Sequence, residues 1–160
     1  ISKKDMKALG HIEGMQGEVD YEYDGFMHSL EFRNRGSIEL SDLSIQYRCF
    51  YEIDKQWRGV QQAGVSQRGK HVSKVEFEKG SFKISSLGAA KKHKKEVGPF
   101  VLTSWQLAGD HFFTGDDPEK ADSSLLGLWV RVSFTTPDGR NLIRDFCDPK
   151  TLSQKKKVNW

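Results

Sequence analysis

The sequence predicts an all-β protein, an antiparallel sandwich or barrel, and three observations carry that expectation. Apolar and polar residues alternate with period two over most of the chain from residue 18 onward. Turn-forming Gly, Pro, Asn and Asp residues interrupt the alternation at short intervals. Helical periodicity is weak everywhere.

The elements follow in order. Val19, Tyr21 and Tyr23 alternate with Glu18, Asp20 and Glu22, and Asp24-Gly25 reads as a hairpin turn. His28, Leu30 and Phe32 form the next stripe, ended by Asn34-Arg35-Gly36. Leu43, Ile45, Tyr47, Cys49 and Tyr51 make the longest clean alternation, the signature of a strand with one face on a core and the other toward water. A short segment, Trp57 to Val60, follows, then a polar Gly/Gln stretch from Gln61 to Gly69. Val72 to Phe77 is a strand, Lys79-Gly80 its turn, and Phe82 to Ile84 the return. Phe100 to Trp105 alternates again, and 109–124 reads as a long polar loop. Leu128, Val130, Val132 and Phe134 precede the strong turn Pro137-Asp138-Gly139, and Leu142 to Cys147 is the last strand. Residues 3–17 read as an irregular or short-helical N-terminal extension, because Gly10, Gly14 and Gly17 work against a long helix.

A chain of 160 residues and 18.3 kDa fits one ordinary domain and needs neither metal nor disulfide to hold a core. No run approaches the roughly 18 apolar residues of a spanning helix. Four Trp, four Tyr and ten Phe are too much aromatic surface for a disordered chain. The formal net charge of +3 is small but unevenly placed. Residues 1–54 carry 6 basic and 11 acidic groups, 55–100 carry 11 and 3, and 101–160 carry 8 and 8, so the middle of the chain is cationic. The chain begins at Ile1 rather than Met, and its start is uninformative about compartment.

The stretch Leu30-Glu31-Phe32-Arg33-Asn34-Arg35-Gly36, with Leu40-Ser41-Asp42-Leu43 and Tyr47-Arg48-Cys49-Phe50-Tyr51, resembles a strand, Asn-x-Gly turn and strand pattern of bacterial sandwiches. Leu126 to Val132, Pro137-Asp138-Gly139 and Phe146-Cys147-Asp148-Pro149 continue in the same style. Together, over residues 18–152, they are similar to immunoglobulin-like (fibronectin-like) β-sandwich domains of exported bacterial surface proteins. Verrucomicrobial and planctomycetal proteins are among these, one of them linked to type IV pilus-like gene clusters. The resemblance implies an immunoglobulin-like antiparallel β-sandwich over 18–152, an extension over 1–17 and a tail over 153–160. It also implies a secreted, periplasmic or cell-surface location after removal of an N-terminal signal, and a non-enzymatic role. It carries over no catalytic residue.

The residues offer little local chemistry. There is no Gly-x-Ser-x-Gly elbow and no phosphate-binding glycine run. The five histidines have no metal-ligand spacing, and His28, on an inward stripe, reads as a hydrogen-bonded core residue. No metal or other cofactor is expected. Asp110, Asp116, Asp117, Glu119 and Asp122 are dense enough in oxygen for calcium but lack EF-hand spacing, so they read as a solvated loop. Cys49 and Cys147, 98 positions apart, are either a bridge between strands or two small buried thiols, the latter favoured. Lys91, Lys92, Lys94 and Lys95 suit anionic headgroups, acidic glycans or nucleic acid, but read best as a solvated hairpin tip. Nucleic acid is not expected, since such a domain normally shows larger net charge and a motif. Lys155-Lys156-Lys157 reads as a solvated tail.

Trp105 and Trp129 fall out of phase with their strands' apolar stripes, so they face outward. Their rings either anchor a protein partner, stack on a sugar, or lie beneath the N-terminal segment. The expected function is therefore a structural and interaction module acting through protein–protein contacts or self-association, associated with a pilus or adhesin. A carbohydrate-binding module is the alternative.

Overall fold

The structure, a computed structural model, describes residues 1–14, 17–57, 61–62, 65–66, 69–108, 118–136 and 138–160; for 2, 6–14, 17–18, 61–62 and 65–66 only the backbone is described. The fold is all-β and antiparallel. Its strands are β1 (Ser2–Gly14), β2 (Gly17–Arg33), β3 (Leu40–Gln56), β4 (Gln61–Gln62), β5 (Val65–Ser66), β6 (His71–Leu87), β7 (Lys92–Ala108), β8 (Lys120–Thr135) and β9 (Asn141–Asp148). A 3₁₀ helix, Lys150–Gln154, follows. Among the described residues no helix is long and apolar enough to cross a membrane.

Seven strands form one sheet in the order β1-β2-β7-β8-β3-β6, with β9 on the other side of β8; β4 and β5 pair separately. The sheet folds over on itself. Phe32 of β2 meets Phe82 of β6, and Tyr47 of β3 meets Phe100 of β7, with ring centroids 6.0 and 6.1 Å apart in edge-on geometry, although neither strand pair shares a ladder. Two layers result, β1-β2-β7 and β6-β3-β8-β9. They join where Trp105 and Gln106 pair with Ala121 and Lys120. Ser123 tightens that corner: its amide donates to Ser104 Oγ (2.9 Å) and its hydroxyl to the Thr103 carbonyl (2.8 Å). Between the layers lie Phe26, Leu30, Leu43, Ile45, Cys49, Ile84, Leu87, Val97, Phe100, Leu102, Leu128, Val130 and Val132.

The main strands are much longer than the turn signals suggested, and two glycines explain why. Asp24-Gly25 is no turn: β2 runs through it, with Gly25 opposite Met6 and Val101. Lys79-Gly80 likewise lies within β6, opposite Arg48 and Tyr47. A β-carbon at Gly80 would fall on the Tyr47 ring and hydroxyl, so this glycine makes room for a cross-strand aromatic. The N-terminal residues are neither irregular nor helical. They form β1, paired with β2 from Ser2 opposite Ser29 to Gly14 opposite Gly17. An edge strand needs a partner on one side alone, so its sequence can stay polar and glycine-rich.

Of the long loop expected over 109–124, residues 109–117 lie outside the described residues, and 120–124 belong to β8. The short segment at Trp57 to Val60 falls beyond the end of β3, and 58–60 are likewise outside. A bulge in β8 opposite Phe50 and Tyr51 lets Leu125 and Leu128, three positions apart, both pack inward, while Leu126 packs outward. Gly127 sits there at φ +143°, and a β-carbon on it would strike the Asp148 carbonyl.

His28 is inward and buried, but both its ring nitrogens lack a hydrogen-bond partner among the described residues. Burial pushes its pKa down; Asp148 pulls it up, and Lys3 adds to the downward push. The unfolded chain therefore binds this proton more readily than the folded one. The stability gained from a neutral His28 is fully present above the unfolded pKa, about 6.5, and is lost as pH falls toward the lowered folded value. His28→Leu is expected to flatten that acid slope. Urea midpoints of both chains at pH 7.5 and 5 check it, and parallel slopes would count against the assignment.

Candidate functional site

The two layers are unequal, and the inequality makes the site. The β1-β2-β7 layer has three strands, while the facing layer has four. Phe146 on β9 lies opposite Val130 on β8 and shares its inward face, yet Phe146 is 52% exposed and Val130 2%. β9 thus extends past the cover of the other layer. Along the overhang runs an open groove of about 520 Å³. Its apolar lining comes from both layers, Leu30 from one and Leu43, Leu87, Val130, Val132, Phe134 and Phe146 from the other, and includes Ile1. Arg33, Arg35 and Arg144 line it too, all exposed.

The arginines make the mouth cationic. Glu31 also lines the groove, but it is held by Lys92 at 3.0 Å and Lys94 at 3.8 Å. The Lys92 hydrogen bond keeps its carboxyl below the usual range. Among the described residues no ion pair engages Arg33, Arg35 or Arg144. β2 pairs with β1 as far as Ser29 opposite Ser2 and with β7 as far as Arg33 opposite Lys92.

Asn34 stands in the chain between two of the lining arginines, Arg33 and Arg35. It is 4% exposed. Its side-chain amide donates to the carbonyls of Leu87 (2.9 Å) and Ile38 (2.8 Å), its Oδ1 accepts from the Gly36 amide (2.9 Å), and its own amide donates to the Lys91 carbonyl (3.1 Å). The Asn34 side chain thus fastens the β2–β3 connection to the end of β6, and its backbone amide ties it to the β6–β7 turn.

The residues singled out in the sequence are dispersed. Lys91, Lys92, Lys94 and Lys95 are exposed at the β6–β7 turn and the start of β7, where two of them neutralise Glu31. Trp105 is half-buried opposite Tyr21 and lines a shallow recess of about 240 Å³ with Asp20, Glu22, Gln106, Lys120 and Asp122. Trp129 does point away from the core, but a different segment covers it. The C-terminal residues return across the outer face of the four-stranded layer and bury Leu152 and Val158 against Phe50, with Leu126, Trp129 and Cys147 around them. Trp160 lies 5.8 Å from Trp129. The Arg131 guanidinium lies 4.2 Å from the Trp160 ring and Arg48 4.9 Å from it, while Arg48 donates to the Asn159 carbonyl at 3.1 Å. Residues 153–160 are thus a docked strap. Lys155, Lys156 and Lys157 are its exposed side, and Lys157 reaches Glu52 at 3.1 Å.

The Cys49–Cys147 bridge is not formed. Both thiols are free, Cys49 in the core between the layers and Cys147 in the cluster under the strap, on opposite faces of one layer. Burial pushes the Cys49 thiol up to about 12. Among the described residues no group of three or more His, Cys, Asp or Glu side chains is placed to hold a metal ion.

Two long half-covered layers define the class, an all-antiparallel β protein with an open interlayer groove. No known family profile matches the chain, and no curated protein matches it. Among solved structures it is similar to Spo0M, the sporulation control protein of Bacillus subtilis, with 14% identity and a TM-score of 0.19. That likeness covers 91% of this chain and 47% of Spo0M, so the chain spans about half the length of that protein.

Proposed function

We propose that the chain is a non-enzymatic, immunoglobulin-like interaction module of an exported bacterial surface protein, working through protein–protein contacts. The observation that carries this reading is the uncovered inward face of β9, where Phe146 stays 52% exposed beside an apolar groove. Apolar surface of that kind beside free strand edges is the usual substrate of recognition rather than of chemistry. The pilus or adhesin setting comes from the sequence resemblance alone.

A second reading, a carbohydrate-binding module, is favoured by the Trp105 recess, where Tyr21 and several polar side chains surround the indole. One experiment separates the two. The immobilised chain is exposed to solubilised envelope proteins, to cytosolic proteins and to a glycan array. The first reading expects saturable retention from the envelope fraction alone, unaffected by Trp105→Ala. Glycan binding that disappears with Trp105→Ala would favour the second. Turnover of a substrate library by the purified chain would end both.

A further inference from the structure

We propose that the end of the molecule built by the β2–β3 connection and the β6–β7 turn is a membrane-docking tip: it rests on the surface of an anionic lipid bilayer, with Ile38 entering the headgroup layer. This inference goes beyond the interaction-module reading. It uses neither the apolar lining of the groove nor the Trp105 recess, so its failure leaves that reading standing.

Three observations converge there. The first is that two connections act as one platform. The Asn34 side-chain nitrogen donates to the Ile38 carbonyl (2.8 Å) and to the Leu87 carbonyl (2.9 Å), and the Asn34 amide donates to the Lys91 carbonyl (3.1 Å). Because one nitrogen serves both carbonyls, residues 34–39 and 88–91 lie side by side, held by a buried side chain. The Lys91 amide donates in turn to the Gly88 carbonyl (3.1 Å), which closes the second turn. The second observation is charge. Residues 31–39 and 88–96 together carry six basic groups and three acidic ones. One of those acids, Glu31, is engaged by Lys92 and Lys94. Among the described residues no ion pair engages Arg33, Arg35, Lys91 or Lys95, and all four are exposed. The β8–β9 turn at the same end neutralises itself, with Arg140 meeting Asp138 at 2.6 Å. Basic groups so placed are drawn to anionic headgroups within about a Debye length of the surface, roughly 8 Å at physiological salt. The third observation is the apolar apex. Ile38 is 59% exposed, the highest value for a large hydrophobic residue among the described residues. Ala89 and Ala90, on the neighbouring turn, are exposed as well. A soluble polyanion satisfies the basic groups and leaves Ile38 in water, whereas a bilayer surface satisfies both.

The test is co-sedimentation of the full chain with vesicles of phosphatidylglycerol and phosphatidylcholine in equal parts. Saturable partition is expected, with none onto vesicles of phosphatidylcholine alone. Arg35→Glu combined with Lys91→Glu should weaken it by about tenfold or more, the effect of reversing two basic groups at such a surface. Ile38→Asp should weaken it by a similar factor. Ile38→Phe should bind at least as well as the parent, because a larger apolar apex buries more surface. All three positions are exposed, so thermal unfolding should match the parent. Lys155→Glu combined with Lys156→Glu makes the same charge change on the exposed side of the strap and should leave partition unchanged. No partition, equal partition onto phosphatidylcholine alone, indifference to either kind of tip variant, or an equal loss with the strap variant would each overturn the proposal. So would a single-stranded DNA that the parent binds as tightly as the mixed vesicles and that Ile38→Asp still binds, since the tip would then be reading polyanion charge alone.

Discussion

Phe50→Ala should destabilise the protein by about 3–5 kcal/mol, the range for emptying a buried aromatic site, and should also release the C-terminal strap. Phe50 is 2% exposed and sits on the outer face of β3. Its ring lies 5.4 Å from Phe77 and 6.4 Å from Trp129, and Leu152 and Val158 close over it. The strap's other attachments are weak by comparison. The Lys157–Glu52 pair is exposed, and such pairs contribute about 0–1 kcal/mol. Cation–π contacts at exposed rings contribute about 0.5–1 kcal/mol each. Apolar burial on Phe50 therefore holds the strap. Urea unfolding measures the stability loss, and a red shift of Trp fluorescence before the main transition reports strap release. A loss below about 1 kcal/mol, or a strap that stays in place, would show that the ionic contacts carry it.

Asn34→Asp should be more damaging than Asn34→Ala. Alanine leaves the buried Leu87 carbonyl without its partner and removes the acceptor for Gly36, a loss of about 2–3 kcal/mol. Aspartate keeps the acceptor but sets a carboxylate against the carbonyls of Leu87 and Ile38, which repel it. That carboxyl would have a folded pKa above its unfolded value of about 3.9. Its protonated form is the better tolerated one, so the variant should gain stability as pH falls and lose it as pH rises through the raised folded value. The His28 contribution in the parent chain slopes the opposite way. Urea midpoints at pH 4.5 and 7.5 distinguish the two, and a parent-like slope in the variant would refute the account.

The fold class was legible because period-two alternation is a direct consequence of strand geometry, and Leu43 to Tyr51 displays it without interruption. What misled was glycine. Gly25 and Gly80 are punctuation in a local reading, but their true reasons lie across the sheet, Tyr47 in the second case. The N-terminal strand was hidden because its hydrogen bonds come from β2 and its side chains follow no stripe. The groove left one trace: Leu142, Arg144 and Phe146 share a face of β9, and an arginine on an apolar stripe marks a face left partly uncovered. Trp129 was read correctly as outward, but its cover comes from residues 153–160, whose lysines concealed the burial of Val158. A short amphipathic tail lacks any period that would announce where it lands.

The placement of the two free thiols gives the protein a pair of intrinsic chemical clocks. Cys147 is partly exposed and gains access when the strap detaches, whereas the buried Cys49 waits until the layers themselves come apart. Alkylation of the parent chain, timed residue by residue, therefore distinguishes peeling of the chain's end from collapse of the whole domain, with no residue substituted.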